Sequence, residues 1–457
     1  MDELLLLSAV EQSAKVRRRE VSAEELTRAY LARIEARNPA LSAFVAVAEK
    51  SATKAARRLD AQAKDAVSPL FGVPIGIKDL NLVRGMPARM GSSAFRWLVW
   101  SPLDDPSARR VRASGAVILG KLSTSEIGIL PIVETEVGPP TKNPWALDRT
   151  AGGSSGGSAS AVAGGMVSIA QGSDAAGSIR IPASFCGLVG FKPSRGALVE
   201  PHRWVDPTGI AVEGPIARST ADAAALYDVL RPRPVAPSDS MLQRSERPPE
   251  KLRIKMSLDP ALMSAEPEVK EAALAAQRAL EALGHTVEEA PFFPGEVREF
   301  LPIMQLMVRG APIFFEKRLQ PMSQWMRREG RRLDKREVLE QGRRIQDRID
   351  AWFQGADAWL TPTVPVAPPK LGAALGLDPP AIMQRLAPLG YFTAPFNAAG
   401  MPAVSLPFGQ TSAGLPVGAQ LAMARGDDLR LMALARALES AGAFAVRMPP
   451  TPPGGLG

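Results

Sequence analysis

Ser154 sits in the run Gly152-Gly153-Ser154-Ser155-Gly156, which fits the Gly-x-Ser-x-Gly pattern of a serine nucleophile carried on a sharp strand-to-helix turn. Such an elbow needs a strand directly before the serine and a histidine to take its proton. Residues 143–150 read as a turn, and the chain has only two histidines, His202 and His285. His285 closes a helix at a strand turn, where exposure is expected. The same scarcity argues against a zinc site, which draws heavily on imidazole. Two other patterns dissolve in context. Gly115 to Lys121 opens like a phosphate-binding loop, but Leu122 stands where Ser or Thr must hold magnesium, and the residues between read as a strand. Ser51-Ala52-Thr53-Lys54 fits Ser-x-x-Lys, yet it lies on an Ala-rich amphipathic helix and lacks the Ser-Asp-Asn and Lys-Thr-Gly partners.

The glycine- and serine-rich stretch that remains is the informative one. Residues 152–158 would pass for a flexible linker if they did not run into an Ala-rich helix over 158–163 and a strand over 166–170. Dense glycine at such a junction permits backbone shapes closed to other residues and close approach of neighbouring chains. A second small-residue loop, 172–181, contains Asp174, Ser178 and Arg180. Loop, helix, strand and loop fold back so that both loops meet at one end of a sheet. Lys78 follows the apolar run 71–77, so its stem is expected to enter a desolvated site, with Asp79 turned to the opposite face. Burial disfavours the ammonium form of a lysine and lowers its pKa.

These two loops closely resemble the amidase signature, and residues 72–79 resemble that family's lysine-bearing segment. Segments 141–145, 186–193 and 396–403 also look like family segments in the expected order, and the likeness is weakest over 231–354. The resemblance implies hydrolysis of a C–N amide bond through an acyl-serine intermediate. By carry-over, Ser178 is the nucleophile, Ser154 relays the proton, and Lys78 is the terminal base. It also implies a cis Gly153–Ser154 bond, and Ser155 as a residue that holds the loop. Backbone N–H groups of Ala175, Ala176, Gly177 and Ser178 are expected to form the oxyanion hole. Ala176 departs from the usual Gly-Gly pair, and a positive φ there would be strained. Arg180 is expected to brace the loop against Asp174. The family pocket maps onto Glu126, Ile127, Gly128 and Ile129, and onto the helical region 292–325. Its apolar content points to an aliphatic or aryl amide, with ester cleavage as a side activity. The alternative within the same family is the glutaminase component of a tRNA-dependent amidotransferase. Residues 209–215 differ from the Ser-Leu-Asp-Gln stretch usual there.

The elements that must position these groups alternate. A capping box at Ser22 and Glu25 opens a helix that stops near 38–39. A helix over 47–63, a strand over 71–77, a helix over 105–114 and a strand over 116–119 follow. After a capped helix over 219–230 comes a Pro-rich exposed crossing over 231–250. A βαβ unit then spans 252–256, 268–283 and 286–290, with Gly284 closing its helix. Residues 292–354 read as mostly helical, and strands at 403–406 and 417–421 precede a helix over 427–438. The alternation argues for an α/β fold, and the resemblance implies a large mixed, mostly parallel twisted sheet with helices on both faces. One catalytic domain is expected over 1–447, with its signature core at 70–230, a variable helical region at 292–355 and a frayed tail at 448–457.

The 457 residues are 46% hydrophobic and 22% charged, with a formal charge of +8. The basic residues are scattered except for a cluster from Arg327 to Arg344, read as a solvated helix face rather than a nucleic-acid site. The single cysteine, Cys186, excludes an intrachain disulfide and suits a reducing compartment. Residues 1–10 lack a signal-peptide leader, and no apolar run approaches a membrane span. A cytoplasmic enzyme is the expectation, without metal or cofactor. Its expected partners are a small-molecule amide and, at most, a second copy in a homodimer, with neither nucleic acid nor membrane.

Overall fold

The computed structural model describes residues 2–62, 67–200, 206–260, 262–295 and 297–450. His202 and residues 451–457 of the expected tail lie outside them. The strands are β1 (Phe44–Val47), β2 (Pro74–Lys78), β3 (Val117–Leu122), β4 (Lys142–Asn143), β5 (Ala146–Thr150), β6 (Ile169–Asp174) and β7 (Val189–Lys192). They continue with β8 (Val212–Ala217), β9 (Arg253–Met256), β10 (Thr286–Glu289), β11 (Ala358–Pro362), β12 (Ala403–Gln410) and β13 (Pro416–Met423). Eleven of them form one sheet in the order β1-β3-β2-β6-β8-β7-β12-β13-β11-β9-β10, and β4 and β5 form a separate hairpin. Pairing is parallel in two blocks, β3-β2-β6 and β11-β9-β10. The remaining pairs are antiparallel, so the parallel character lies in the blocks and not in the centre.

Both faces of this sheet are buried except at its edge strands β1 and β10, as the apolar content of the inner strands requires. Along β3, Val117 and Leu119 pack into one core while Ile118 packs into the other, the period-two alternation of a strand. The first core is closed by helices Ala23–Leu41 and Gly156–Ala163, the second by Thr220–Leu230, Pro267–Ala282 and Asp428–Ser440. A third cluster joins helices Val297–Arg309 and Lys335–Phe353 to Trp359, Ala403 and Ala422 at the βαβ end of the sheet. Among the described residues no helix is long and apolar enough to cross a membrane.

Several boundaries differ from the sequence reading. The capping box at Ser22 and Glu25 is present, but the helix runs through Pro39 to Leu41, where Ser42 takes a left-handed conformation. Residues 44–47 are claimed by the sheet edge as β1, so the next helix starts at Glu49. Residues 146–150 form β5 rather than a turn, although that hairpin stands outside the main sheet. β6 begins at Ile169 and continues to Asp174, so the second loop is shorter than expected. β7, β8 and β11 are short and buried on every residue, so they show no alternation, and Lys192, Glu213 and Pro362 break the continuous apolar runs by which β2 and β3 are read.

One glycine fixes how closely the first serine loop meets β3. A Cβ on Gly157 would lie 2.3 Å from the backbone N and 2.5 Å from the backbone O of Ser123, atoms that cannot swing aside. Gly157→Ala is expected to destabilise the fold by about 1–3 kcal/mol through overpacking, read as a lower urea midpoint at unchanged m-value.

Candidate functional site

β3, β2 and β6 run parallel, so their carboxyl ends emerge on one edge, where α/β sheets open a crevice for ligands. Each end delivers part of one constellation. β2 ends in Lys78, β3 leads into the turn Glu126–Gly128, and β6 leads into the loop holding Ser178. The Gly/Ser loop before helix Gly156–Ala163 folds over the same edge. Its Gly153–Ser154 peptide is cis. The Ser155 hydroxyl donates to the Ser173 carbonyl (3.1 Å) and accepts from the Ser173 N–H (3.3 Å), while the Ser155 N–H donates to the Ser178 carbonyl (3.2 Å). The two loops are thereby tied together.

Lys78 is fully buried. Its Nζ lies 2.7 Å from Ser154 Oγ and 2.9 Å from Ser173 Oγ, with the Ser173 carbonyl at 3.4 Å. Burial lowers its pKa to about 7, against the opposing pull of Glu213 and Asp174. Asp79 points the other way and pairs with buried Lys121 at 2.6 Å. Beneath Lys78, its backbone N–H donates to Gln171 Oε1 (2.9 Å), and Gln171 Nε2 donates to Glu213. Burial, reinforced by Asp105, lifts Glu213 to about 8, which weakens its hold on the amine.

The Ser178 loop is held by a second buried cluster. Arg180 meets Asp174 through two 3.0 Å contacts, and neither side chain reaches solvent. Burial pushes Asp174 up, but the guanidinium outweighs it and holds the carboxyl at about 2. Arg180 also donates to the Thr393 carbonyl (3.0 Å), Gln420 Oε1 (2.6 Å) and Asn397 Oδ1 (2.5 Å). Asn397 Nδ2 returns to the Asp174 carbonyl at 2.9 Å. The loop itself is only partly exposed, and Ser178 faces the crevice. Ala176 is not among the residues with positive φ. The unusual conformation falls on Gly177 (φ +127), where a Cβ would lie 2.3 Å from Thr393 Oγ1.

Two of the expected site residues are placed differently. The Gly177 N–H donates to Asp174 Oδ1 at 2.7 Å, because a buried carboxylate collects the nearest donors, so it does not face the crevice. The N–H groups of Ala175, Ala176 and Ser178 enter no hydrogen bond among the described residues. Glu126 is buried away from the crevice, accepting from Ser92 Oγ (2.6 Å) and the Gln320 N–H (2.8 Å). It anchors the turn whose next residues, Ile127, Gly128 and Ile129, do line the crevice. His285 is buried too and accepts the Leu252 N–H through Nδ1 (3.1 Å). Arg327 is also buried, gripping Glu316 and the carbonyls of Val308 and Ala311 (2.8 Å each), so the basic cluster is not a solvated face along its whole length.

Two apolar cavities, of about 120 and 160 Å³, open beside Ser178. Residues 292–312 contribute to both, as the variable region was expected to, through Phe292, Phe300, Met304 and Met307. The segment 383–395 was not anticipated and closes the first through Met383, Leu386 and Tyr391. Ser173, Gln171, Glu213 and Thr393 were likewise unassigned. A buried polar residue within a short strand was the one available hint for the first three.

The family model described as Amidase matches residues 25–432. The chain belongs to the amidase signature family. This amidase is 34% identical to a 6-aminohexanoate-cyclic-dimer hydrolase of Pseudomonas sp., over 96% of each chain. The structure of a 6-aminohexanoate cyclic dimer hydrolase complexed with substrate superposes with a TM-score of 0.89 at 31% identity, covering 97% of this chain and 99% of that one. A glutamyl-tRNA(Gln) amidotransferase component from Thermotoga maritima superposes with a TM-score of 0.79 at 28% identity, over 98% of each chain. The protein is accordingly an enzyme that hydrolyses amide bonds, built on the fold those structures share.

Removing one partner of a buried ion pair strands the other charge in a low dielectric. Arg180→Leu in this amidase is therefore expected to cost about 3–5 kcal/mol of unfolding free energy, measured by denaturant titration at neutral pH.

Proposed function

We propose that this amidase works through an acyl-enzyme on Ser178, with Ser154 as proton relay and Lys78 as the terminal base. The observation that carries the reading is the uncharged tendency of a wholly buried amine 2.7 Å from a serine hydroxyl. With its proton absent, Nζ has a lone pair that accepts the Ser154 hydroxyl hydrogen, and Ser154 Oγ in turn takes the proton of Ser178. Ser178 Oγ then bonds to the substrate carbonyl carbon, and the charge moves to the carbonyl oxygen. The N–H groups of Ala175, Ala176 and Ser178 are the donors left to meet that oxygen, the kind of preorganised contact that stabilises a developing oxyanion. Collapse of the adduct breaks the C–N bond as the nitrogen takes a proton back from Ser154, which is resupplied by Lys78. Water repeats the sequence on the acyl-serine and releases the acid. The apolar cavities beside Ser178 and the likeness to a hydrolase of a cyclic amide of 6-aminohexanoate support a small or medium aliphatic amide as substrate. A glutaminase reading finds less support, since glutamine would place a polar side chain against these walls.

Ser178→Ala is expected to abolish acyl-enzyme formation, checked by mass spectrometry of the enzyme after incubation with substrate. Lys78→Met removes the base while keeping an apolar body in the desolvated site, so it should lose nearly all activity and keep or raise its melting temperature. Retained activity in either variant would remove that residue from the mechanism. The pH profile gives an independent check. Lys78 is cationic below its pKa of about 7, so kcat/KM is expected to fall as pH drops through about 7 and to level off above it. Glu213 and Asp174 are the carboxyls that bear on it.

A further inference from the structure

The two cavities share only Gly128 and Ser178, which form the partition between them. Ser154 and Ser173 belong to the wall of the second cavity alone, together with Leu80, Phe95, Ile127 and Met307. The first is walled by Ala176 and Phe300, Leu301 and Met304, and holds neither relay serine. This asymmetry has a chemical meaning, because only one end of an amide must receive a proton when it departs. The nitrogen needs the hydrogen that Ser154 holds, so its substituent must extend into the cavity that contains Ser154. The carbonyl substituent must then run the other way.

We propose that the substrate is an N-substituted amide with an apolar group on each side of the bond, its leaving amine in the cavity of Ser154 and Met307 and its acyl group in that of Phe300 and Met304. This rests on the assignment of Ser178, Ser154 and Lys78 above. A primary carboxamide would send only an NH2 group into the second cavity and leave its apolar wall uncovered. The space there, about 160 Å³, is far beyond the roughly 10–15 Å³ a single water needs, so it is not a packing defect. The turn that carries Gly128 is anchored. Glu126 pins its turn to Ser92 and Gln320, and Gly128 (φ +75) is seated so that a Cβ would lie 2.9 Å from Leu80 Cδ1. Ala311 lines the second cavity and Ala387 the first, and both are half-buried residues outside the catalytic groups.

The experiment compares N-methylhexanamide with N-hexylhexanamide, which differ only on the nitrogen. In the unaltered enzyme the longer N-alkyl group is expected to raise kcat/KM by at least about tenfold, the scale of added apolar contact in a pocket. Ala311→Trp should erase that gain, bringing the ratio of kcat/KM for the two substrates to near one, whereas Ala387→Trp should slow both substrates alike and keep the ratio. No gain from the longer amine in the unaltered enzyme overturns the proposal, and that comparison needs no variant to fold. Loss of the gain in Ala387→Trp rather than Ala311→Trp overturns the assignment of sides. Labelling of the unaltered enzyme with an alkyl fluorophosphonate separates the two levels. A phosphonylated Ser178 with no N-alkyl gain sinks only the substrate class, while an unlabelled Ser178 sinks the catalytic assignment on which it rests.

Discussion

An amine shut off from bulk solvent is the constraint to which the rest of this amidase is fitted. Lys78 is fully enclosed, and the charged form of such a group is penalised by the loss of hydration. What surrounds it keeps that penalty from being cancelled. The nearest partners of Nζ are hydroxyl and carbonyl oxygens of Ser154 and Ser173. The carboxyls that would restore the positive charge are engaged elsewhere or discharged. Asp174 is committed to Arg180, Asp79 to Lys121, and Glu213 has its own pKa raised by burial. A single free carboxylate in this position would restore the charge and make Lys78 half of an ordinary ion pair.

The same logic explains why a second buried charge pair sits so near. Arg180 and Asp174 would be costly in isolation, because each loses its hydration. Here every strong donor or acceptor they present is used, and the use has geometry. Asp174 draws in the N–H groups of Gly177 and Ile179, which shapes the turn around Ser178, while Arg180 reaches Thr393, Asn397 and Gln420. The loop is thus clamped from below by its own aspartate and from the side by the C-terminal third of the chain. The N–H groups of Ala175, Ala176 and Ser178 enter none of these bonds.

Much of this was legible from residue types alone, and the limits have physical causes. The two small-residue loops, the apolar run before Lys78 and the Asp174–Arg180 brace could be read because each leaves a local mark in composition or spacing. The capped helices at Ser22 and Ser219 and the βαβ unit were visible for the same reason. β7, β8 and β11 were not, since a strand buried on both faces has no period to detect. Glu126 was misread because a carboxylate beside a pocket in sequence can be spent on holding the pocket's wall. Ser173 and Gln171 gave only the faint signal of polar residues in a short strand, because their importance arises only where β6 lies beside β2. Residues 383–395 enter the crevice through tertiary packing that no local pattern encodes.

The position of β12 and β13 carries a last consequence. This hairpin lies within the sheet, between the block that carries the Ser178 loop and the βαβ wing, and its residue Gln420 joins Asn397 in gripping Arg180. During synthesis, Lys78, Ser154 and Ser178 are therefore made long before Asn397 and Gln420. A nascent chain that has not yet reached residue 420 lacks part of the clamp on Arg180, so the loop carrying Ser178 cannot yet have all the contacts that shape it.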